Sequence, residues 1–298
     1  MKKRRILKNI ITLFFILIPF QSAFSQNTQD SNNTNTKYNG WDFLAERLIK
    51  DGVIPEEADT IFNGKNFPKF EDVSFSIKVK ESHAQYKAFL HPKRLQTARD
   101  CLNSYNDAFL NAENRFSIDR HVIVAIMYVE TLCGKNKGSA NIVERLSRLA
   151  NINDPKNIIE NFKRLKKDKE TKDVTEKEVQ DRAEYISKMF YPELLALIKM
   201  ARENNIDVMK LKGSYAGAFG YTQFLPSSFN NFKIDGNNDG VVSLFTPEDA
   251  IASTANFLSS YGWRDDLSLA EKKQIIWNYN HSEAYVNTIL GVATMLKK

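Results

Sequence analysis

The stretch 121–134, HVIVAIMYVETLCG, decides the fold. Eight apolar or aromatic residues in a row, 122–129, lead into a single acid, Glu130. A segment that is apolar all round predicts a buried helix, and its length and bounds suit a helix better than a strand. Ser117 or Asp119 is placed to cap its start, and Gly134 suits a left-handed residue just past its end. Glu130 then falls in the last turn, where the negative end of the helix dipole disfavours a carboxylate. Apolar neighbours push the same way, because desolvation also raises a carboxyl pKa. A carboxylic acid kept protonated near neutral pH is what a general acid requires. An ordinary acid at a frayed helix end, or one paired with Arg or Lys, is the alternative that this stretch alone leaves open.

Around this helix, the bounds are set by length and charge. A chain of 298 residues with 42% hydrophobic and 11% aromatic content can bury a sizeable core, in one large domain or two smaller ones. Of the formal net charge of +6, five positive charges (Lys2, Lys3, Arg4, Arg5 and Lys8) lie in the acid-free N-terminal stretch, which leaves a near-neutral body. That balance gives no electrostatic case for nucleic acid or an anionic membrane. The same stretch reads as an export signal: a basic KKRR region, a mostly apolar run over 6–20, then the small-x-small pattern Ala23-Phe24-Ser25. The run is shorter than the roughly 20 residues a spanning helix needs. No cysteine follows it, so a lipid anchor at a new N-terminal Cys is not expected. The mature protein is expected to be exported to the periplasm or cell envelope without a stable membrane span.

Residues 26–40 are polar and rich in Asn and Thr, which predicts a disordered leader. Trp41, Leu44 and Leu48 then share a helical face, and Pro55-Glu56-Glu57 opens a second helix. Val73, Phe75, Ile77 and Val79 alternate with polar residues, the one clear strand signal. Leu95, Ala98, Leu102, Tyr105, Phe109 and Ala112 repeat at helical spacing and predict a helix antiparallel to the one bearing Glu130. Such a hairpin, turning near Ser117, brings the only two cysteines, Cys101 and Cys133, to one level. Two buried thiols are the expected state, with a disulfide as the alternative. The highly charged stretch 153–182 reads as a solvated, partly helical excursion. Pro192-Glu193 predicts the start of another helix.

Two further stretches carry chemistry. In 213–228, GSYAGAFGYTQFLPSS, glycines and alanines set among aromatics make a backbone that a ligand can approach closely. Tyr215, Phe219, Tyr221 and Phe224 offer flat faces of the kind sugars stack on, and Ser214 and Gln223 offer hydrogen bonds. Next, Asp235, Asn237 and Asp239 alternate, with Gly240 sixth and the carbonyl of Val241 seventh, as in a calcium loop. Position twelve is Thr246 rather than Glu, and carboxylates arrive only at Glu248 and Asp249. A plain Asn/Asp/Gly turn is the competing reading.

In this order, YKAFLHP, VETLCG, GSYAGAFGYTQFLPSS, DGNNDG with FTPEDAIASTANFLSSYGW, and YNHSEAY resemble the lytic murein transglycosylase B family of lysozyme-like enzymes. The resemblance runs from about Tyr86 to the C-terminus. It implies a mainly α, lysozyme-like helical catalytic domain with a calcium-loop insertion and little β structure. The implied organisation is a signal peptide over 1–25, the leader over 26–40, an N-terminal helical segment with one strand over 41–84, and the catalytic domain over 85–298. By the same resemblance Glu130 is the sole catalytic acid/base. Ser214, Gln223, Tyr279, Asn280, Phe224 and, by weaker matches, Tyr86 and Tyr285 line the glycan groove. Asp235, Asn237, Asp239, Val241 and Asp249 hold a structural calcium ion in an EF-hand-like loop over 235–249, closed by Asp249. No organic cofactor is implied. The partner is the peptidoglycan glycan strand, and a monomer is expected. A water-using muramidase and a non-catalytic murein-binding module are the rival functions. The chain departs from the family pattern at Phe257, where Tyr is common, and at Cys133, where an aromatic is usual. Residues 153–182 look inserted, and only 264–277 joins the GW and YN motifs where larger members carry a long segment.

Overall fold

The computed structural model describes residues 36–77 and 86–298. Among them are twelve α-helices, one 3₁₀ turn and a single antiparallel ladder of two two-residue strands. The chain is mainly α with little β structure, as expected. It forms two compact units interleaved along the sequence, one holding 86–138 and 218–298, the other 36–77 and 139–217. Among the described residues no helix is long and apolar enough to cross a membrane. The expected export signal over 1–25 lies outside them.

The first unit is built on the helix read from 121–134. After α3 (Gln96–Ser104) and α4 (Asn106–Phe116) comes α5 (Arg120–Thr131), with Ile123, Val124, Ala125, Ile126, Met127 and Tyr128 all at 0% exposure. Burying each of the larger side chains stabilises the fold by roughly 1.5–3 kcal/mol. That exceeds the ~0.7 kcal/mol or less of helix propensity that a Val or Ile costs relative to Ala. Packing therefore wins, and a β-branched run is helical. Asp119 caps α5 by accepting from the His121 N–H at 2.9 Å, and it also pairs with Lys297 near the C-terminus. Helices α3 and α4 pack on α5, as do α10 (Pro247–Ser260) and α12 (Glu283–Leu296). The single helix expected over 95–112 is broken at Tyr105, which has φ −119° and ψ 30°. Asn103, Ser104 and Asn106 around the break are residues of weak helix propensity. Two further helices, α9 (Pro226–Phe232) and α11 (Leu269–Trp277), complete this unit.

The second unit carries α1 (Asp42–Lys50), α2 (Pro55–Phe62), α6 (Ile142–Ala150), α7 (Pro155–Lys167) and α8 (Glu176–Asn204). Its ladder pairs β1 (Ala140–Asn141) with β2 (Lys212–Gly213). The structure departs from the sequence expectation at three places. The leader gives way to structure before Gly40, since Tyr38 is 3% exposed and stands edge-on to Phe62 at 6.3 Å. Pro192 does not start a helix; it sits inside α8, which begins at the Thr175–Glu178 capping box. The cost of an interior proline, ~3 kcal/mol, is offset by buried Phe190, Tyr191, Leu194, Leu197 and Ile198 on both sides of it.

The third departure is at the expected strand. Val73, Phe75 and Ile77 form no ladder, and Val79 lies outside the described residues. Instead the Val73 N–H donates to Asn157 Oδ1 at 2.7 Å and the Phe75 N–H to Asn161 Oδ1 at 3.2 Å. Asn161 Nδ2 returns a bond to the Val73 carbonyl at 2.9 Å, and Arg164 Nη2 reaches the Phe75 carbonyl at 2.6 Å. Asn157, Asn161 and Arg164 share one face of α7, and this face serves the extended segment as a strand edge would.

Candidate active site

Glu130 occupies the penultimate position of α5 and keeps a partly exposed face. Burial of its carboxyl pushes its pKa from an ordinary 4.5 up to about 8, so it is protonated at neutral pH. The opposing influence is Tyr285 on α12, whose Oη donates to Glu130 Oε1 at 2.7 Å. Tyr285 is fully buried, and burial together with the neighbouring carboxyl holds its pKa well above 10. It therefore remains a donor at any physiological pH.

Tyr285 belongs to an aromatic cluster. Tyr279 stacks on it with ring centroids 6.2 Å apart and an interplanar angle of 11°. Tyr86 meets its edge at 6.2 Å. Phe257 packs on Tyr279 at 4.9 Å, and Phe224 on Tyr279 at 5.7 Å. The Tyr279 Oη donates to the Thr222 carbonyl at 2.6 Å, which ties the YN motif to the GYTQF loop. Asn280 is 3% exposed, and its Oδ1 is buried with no hydrogen-bond partner, an open acceptor beside the tyrosines.

The GYTQF loop is locked to the end of α5. Thr131 Oγ1 lies 3.0 Å from the Tyr221 carbonyl and accepts the Gly134 N–H at 2.8 Å. Leu132, Cys133 and Gly134 are left-handed in succession, with φ of 51°, 56° and 83°. The helix thus ends at a left-handed residue earlier than Gly134, at Leu132. A Cβ on Gly134 would come within 2.1 Å of the Tyr221 ring, so only glycine admits this packing. The loop itself is pinched by the Phe219–Phe224 bridge. Gln223 donates through Nε2 to the carbonyls of Gly220 at 2.9 Å and Lys137 at 3.3 Å.

The first unit therefore brings Glu130, Tyr86, Gln223, Phe224, Tyr279, Asn280 and Tyr285 together. Ser214 falls in the second unit. Of the four aromatic faces expected in the Gly-rich stretch, Phe219, Tyr221 and Phe224 are buried, at 2%, 9% and 2% exposure. They pack the loop and offer no open ring. Tyr215 is 64% exposed, with the Arg145 guanidinium 4.6 Å above its ring. Thr131 and Phe257 gain roles that no periodicity in the sequence announces. The signal for Thr131 was its hydroxyl directly after Glu130.

The calcium-loop residues fit a hard cation. Asp235 Oδ2 accepts the Gly240 N–H at 2.9 Å, and its Oδ1 is buried with no partner. Asp249 is fully buried and accepts N–H groups from Gly236 at 2.8 Å and Ser243 at 2.7 Å, which draws both ends of the loop together. Asn237 and Asp239 bond to each other at 2.9 Å. Among the described residues no three His, Cys, Asp or Glu side chains are already gathered as a metal cluster. The donor set is mixed, with carboxylate, amide and the Val241 carbonyl, which is oxygen chemistry suited to calcium.

Comparison with known proteins agrees with this architecture. Residues 37–273 match the model of the transglycosylase SLT domain. Over 177 residues the chain is 34% identical to the membrane-bound lytic murein transglycosylase B of Escherichia coli, covering 59% of this chain and 41% of that protein. The chain thus spans less than half the length of that relative. The fold is shared with the E. coli lytic transglycosylase Slt35, solved in complex with bulgecin A, at a TM-score of 0.64 and 21% identity over 90% of this chain and 98% of that one. It is shared equally with SltB1 of Pseudomonas aeruginosa, at 0.64 and 21% over 86% and 97%. Slt35 has also been solved with calcium, and SltB3 of P. aeruginosa with NAG-anhNAM-pentapeptide. With the family match extending over most of the sequence and into both units, the chain belongs to the transglycosylase SLT domain family.

Proposed function

We propose that the protein is a peptidoglycan lytic transglycosylase that cleaves the MurNAc–GlcNAc β-1,4 bond and leaves 1,6-anhydro-MurNAc ends. The observation that carries this reading is Glu130: a single carboxyl at the end of a buried helix, kept protonated up to about pH 8 and held by Tyr285. Glycosidases commonly use two carboxylates across the bond. Here burial and the Tyr285 hydroxyl are the influences on Glu130, and no second carboxylate acts on it among the described residues. In this reading one acid serves twice.

In the first step Glu130 gives its proton to the glycosidic oxygen as the C1–O bond breaks. The substrate's own acetamido oxygen bonds to C1, and the leaving GlcNAc departs with its 4-hydroxyl. The carboxylate left behind accepts the hydrogen bond of Tyr285 and becomes the base. It takes the proton of the muramyl C6 hydroxyl as O6 attacks C1. The acetamido group leaves, the anhydro ring closes and Glu130 is protonated again. No water enters the balance. Asn280, Gln223, Tyr279, Tyr86 and Ser214 are assigned to binding of the glycan strand. Phe224 packs on Tyr279.

Calcium, as in the Slt35 complex, would be held by Asp235, Asn237, Asp239, the Val241 carbonyl and Asp249, and its contribution would be structural. The N-terminal stretch supports export with cleavage near Gln26, and N-terminal sequencing of envelope material tests that. Digestion of purified sacculi with mass identification of the fragments tests the reaction. Anhydro ends support the proposal, reducing MurNAc ends would make the protein a muramidase, and binding without cleavage would make it a murein-binding module.

A further inference from the structure

Cys101 and Cys133 meet at the end of the helix that carries Glu130. Cys101 is buried on α3 at 5% exposure, while Cys133 is partly exposed, and the structure carries both as thiols. The Cys133 and Cys101 side chains interact directly. Three other contacts fix the approach of the two backbones. Lys135 Nζ, two residues past Cys133, donates to Thr97 Oγ1, one turn before Cys101, at 3.5 Å. The Tyr221 ring lies directly against Gly134, next to Cys133. The phenol of the same ring neighbours Tyr105, whose own N–H donates to the Cys101 carbonyl at 3.1 Å. The contact is thus built into the packing on both sides.

We propose that Cys101 and Cys133 are an oxidisable pair whose disulfide staples α3 to the turn that ends the catalytic helix. The oxidant is a small disulfide such as oxidised glutathione. Cys133, the accessible partner, attacks one sulfur of it as a thiolate, forms a mixed disulfide and releases one thiol. Cys101 then attacks Cys133 Sγ and expels the second thiol. Two protein thiol hydrogens are lost as protons, and the oxidant's disulfide is reduced to two thiols. The turn, three consecutive left-handed residues closed by the Leu132 N–H on the Tyr128 carbonyl and the Cys133 N–H on the Met127 carbonyl, would gain a covalent tie to α3. The contact with Cys101 and burial raise the Cys133 thiol pKa, so the exchange quickens as pH rises. In the cell this chemistry rests on the export proposed above, but the pairing itself does not.

The test uses the full chain, purified reduced, then equilibrated with oxidised and reduced glutathione in varying ratio at pH 8.5. Each sample is quenched in acid, denatured and alkylated, and its peptides are read by mass. Both thiols should become protected together, with a Cys101–Cys133 linked peptide. The oxidised protein should melt roughly 5–10 °C higher than the reduced one, and dithiothreitol should reverse the shift. Cys133→Ser should leave Cys101 alkylatable and abolish the shift. Full alkylation of both thiols at the most oxidising ratio, or glutathione attached to each separately with no linked peptide, would overturn the proposal. Since thiols are read and not cell-wall cleavage, failure here is distinct from failure of the proposed reaction.

Discussion

Replacing Glu130 by Gln should stabilise the protein, increasingly as pH rises from about 5 to 8. In the native state the carboxyl pKa is raised from 4.5 to about 8. A group with a raised native pKa contributes its full stability below the unfolded pKa, and that contribution is lost as pH climbs towards the native value. Between pH 4.5 and 8 the unfolded chain ionises Glu130 freely while the native state does not. The rise corresponds to roughly 5 kcal/mol between the two protonation states. Water at the partly exposed face screens the group and reduces this to about 2 kcal/mol. The amide of the variant would carry no such penalty, yet would still accept the hydrogen bond from Tyr285. Thermal melts of wild type and Glu130→Gln should therefore nearly coincide at pH 5. At pH 8.5 the variant should melt about 5 °C higher. Comparing the two proteins at each pH cancels the titration of every other group. A gap that is the same at both pH values would refute the buried, protonated carboxyl.

Tyr285→Phe removes the hydroxyl that favours the ionised carboxylate. The pKa of Glu130 should rise further, moving the alkaline limb of the pH–rate profile up by about one pH unit and costing roughly 3–10-fold in rate; an unmoved limb would count against the contact. Calcium should raise the melting temperature of the wild type over a chelated sample, because it binds the native state alone. Asp239→Ala should erase that difference, and identical wild-type melts with and without calcium would reduce the loop to a plain turn. Gly134→Ala places a methyl within 2.1 Å of the Tyr221 ring at φ 83°, a cost of roughly 2–4 kcal/mol that urea unfolding should register.

What could be read from the sequence was whatever local chemistry controls. The run 122–129 leaves burial as its only stable use, so α5 and the position of Glu130 near its end followed directly. The capping box at Thr175 and Glu178 carried the true start of α8, but Pro192 masked it, because proline rules describe a helix in isolation and the buried side chains flanking Pro192 do not. The alternation over 73–77 was a correct sign of extended backbone and a wrong sign of a sheet. Its partners are amide side chains on a helix over eighty residues away, and nothing in a period of two reports that. Phe224 looked like a binding face because composition cannot tell an exposed ring from a packed one. The interleaving of the two units is a long-range property for the same reason. The contact between Glu130 and Tyr285 spans 155 residues, and only the resemblance to a family brought Tyr285 into view.

Glu130 alone is proposed to carry the acid and base work, and the rate of Glu130→Gln on purified sacculi is the sharpest check of that role. The amide keeps the shape and the acceptor for Tyr285 but has no proton to deliver. Release of 1,6-anhydro-muropeptides should fall by at least about 10²–10⁴-fold, while the variant still binds sacculi and melts no lower than the wild type. Release at the wild-type rate by a folded variant would contradict the account and send the search for the acid elsewhere in the groove.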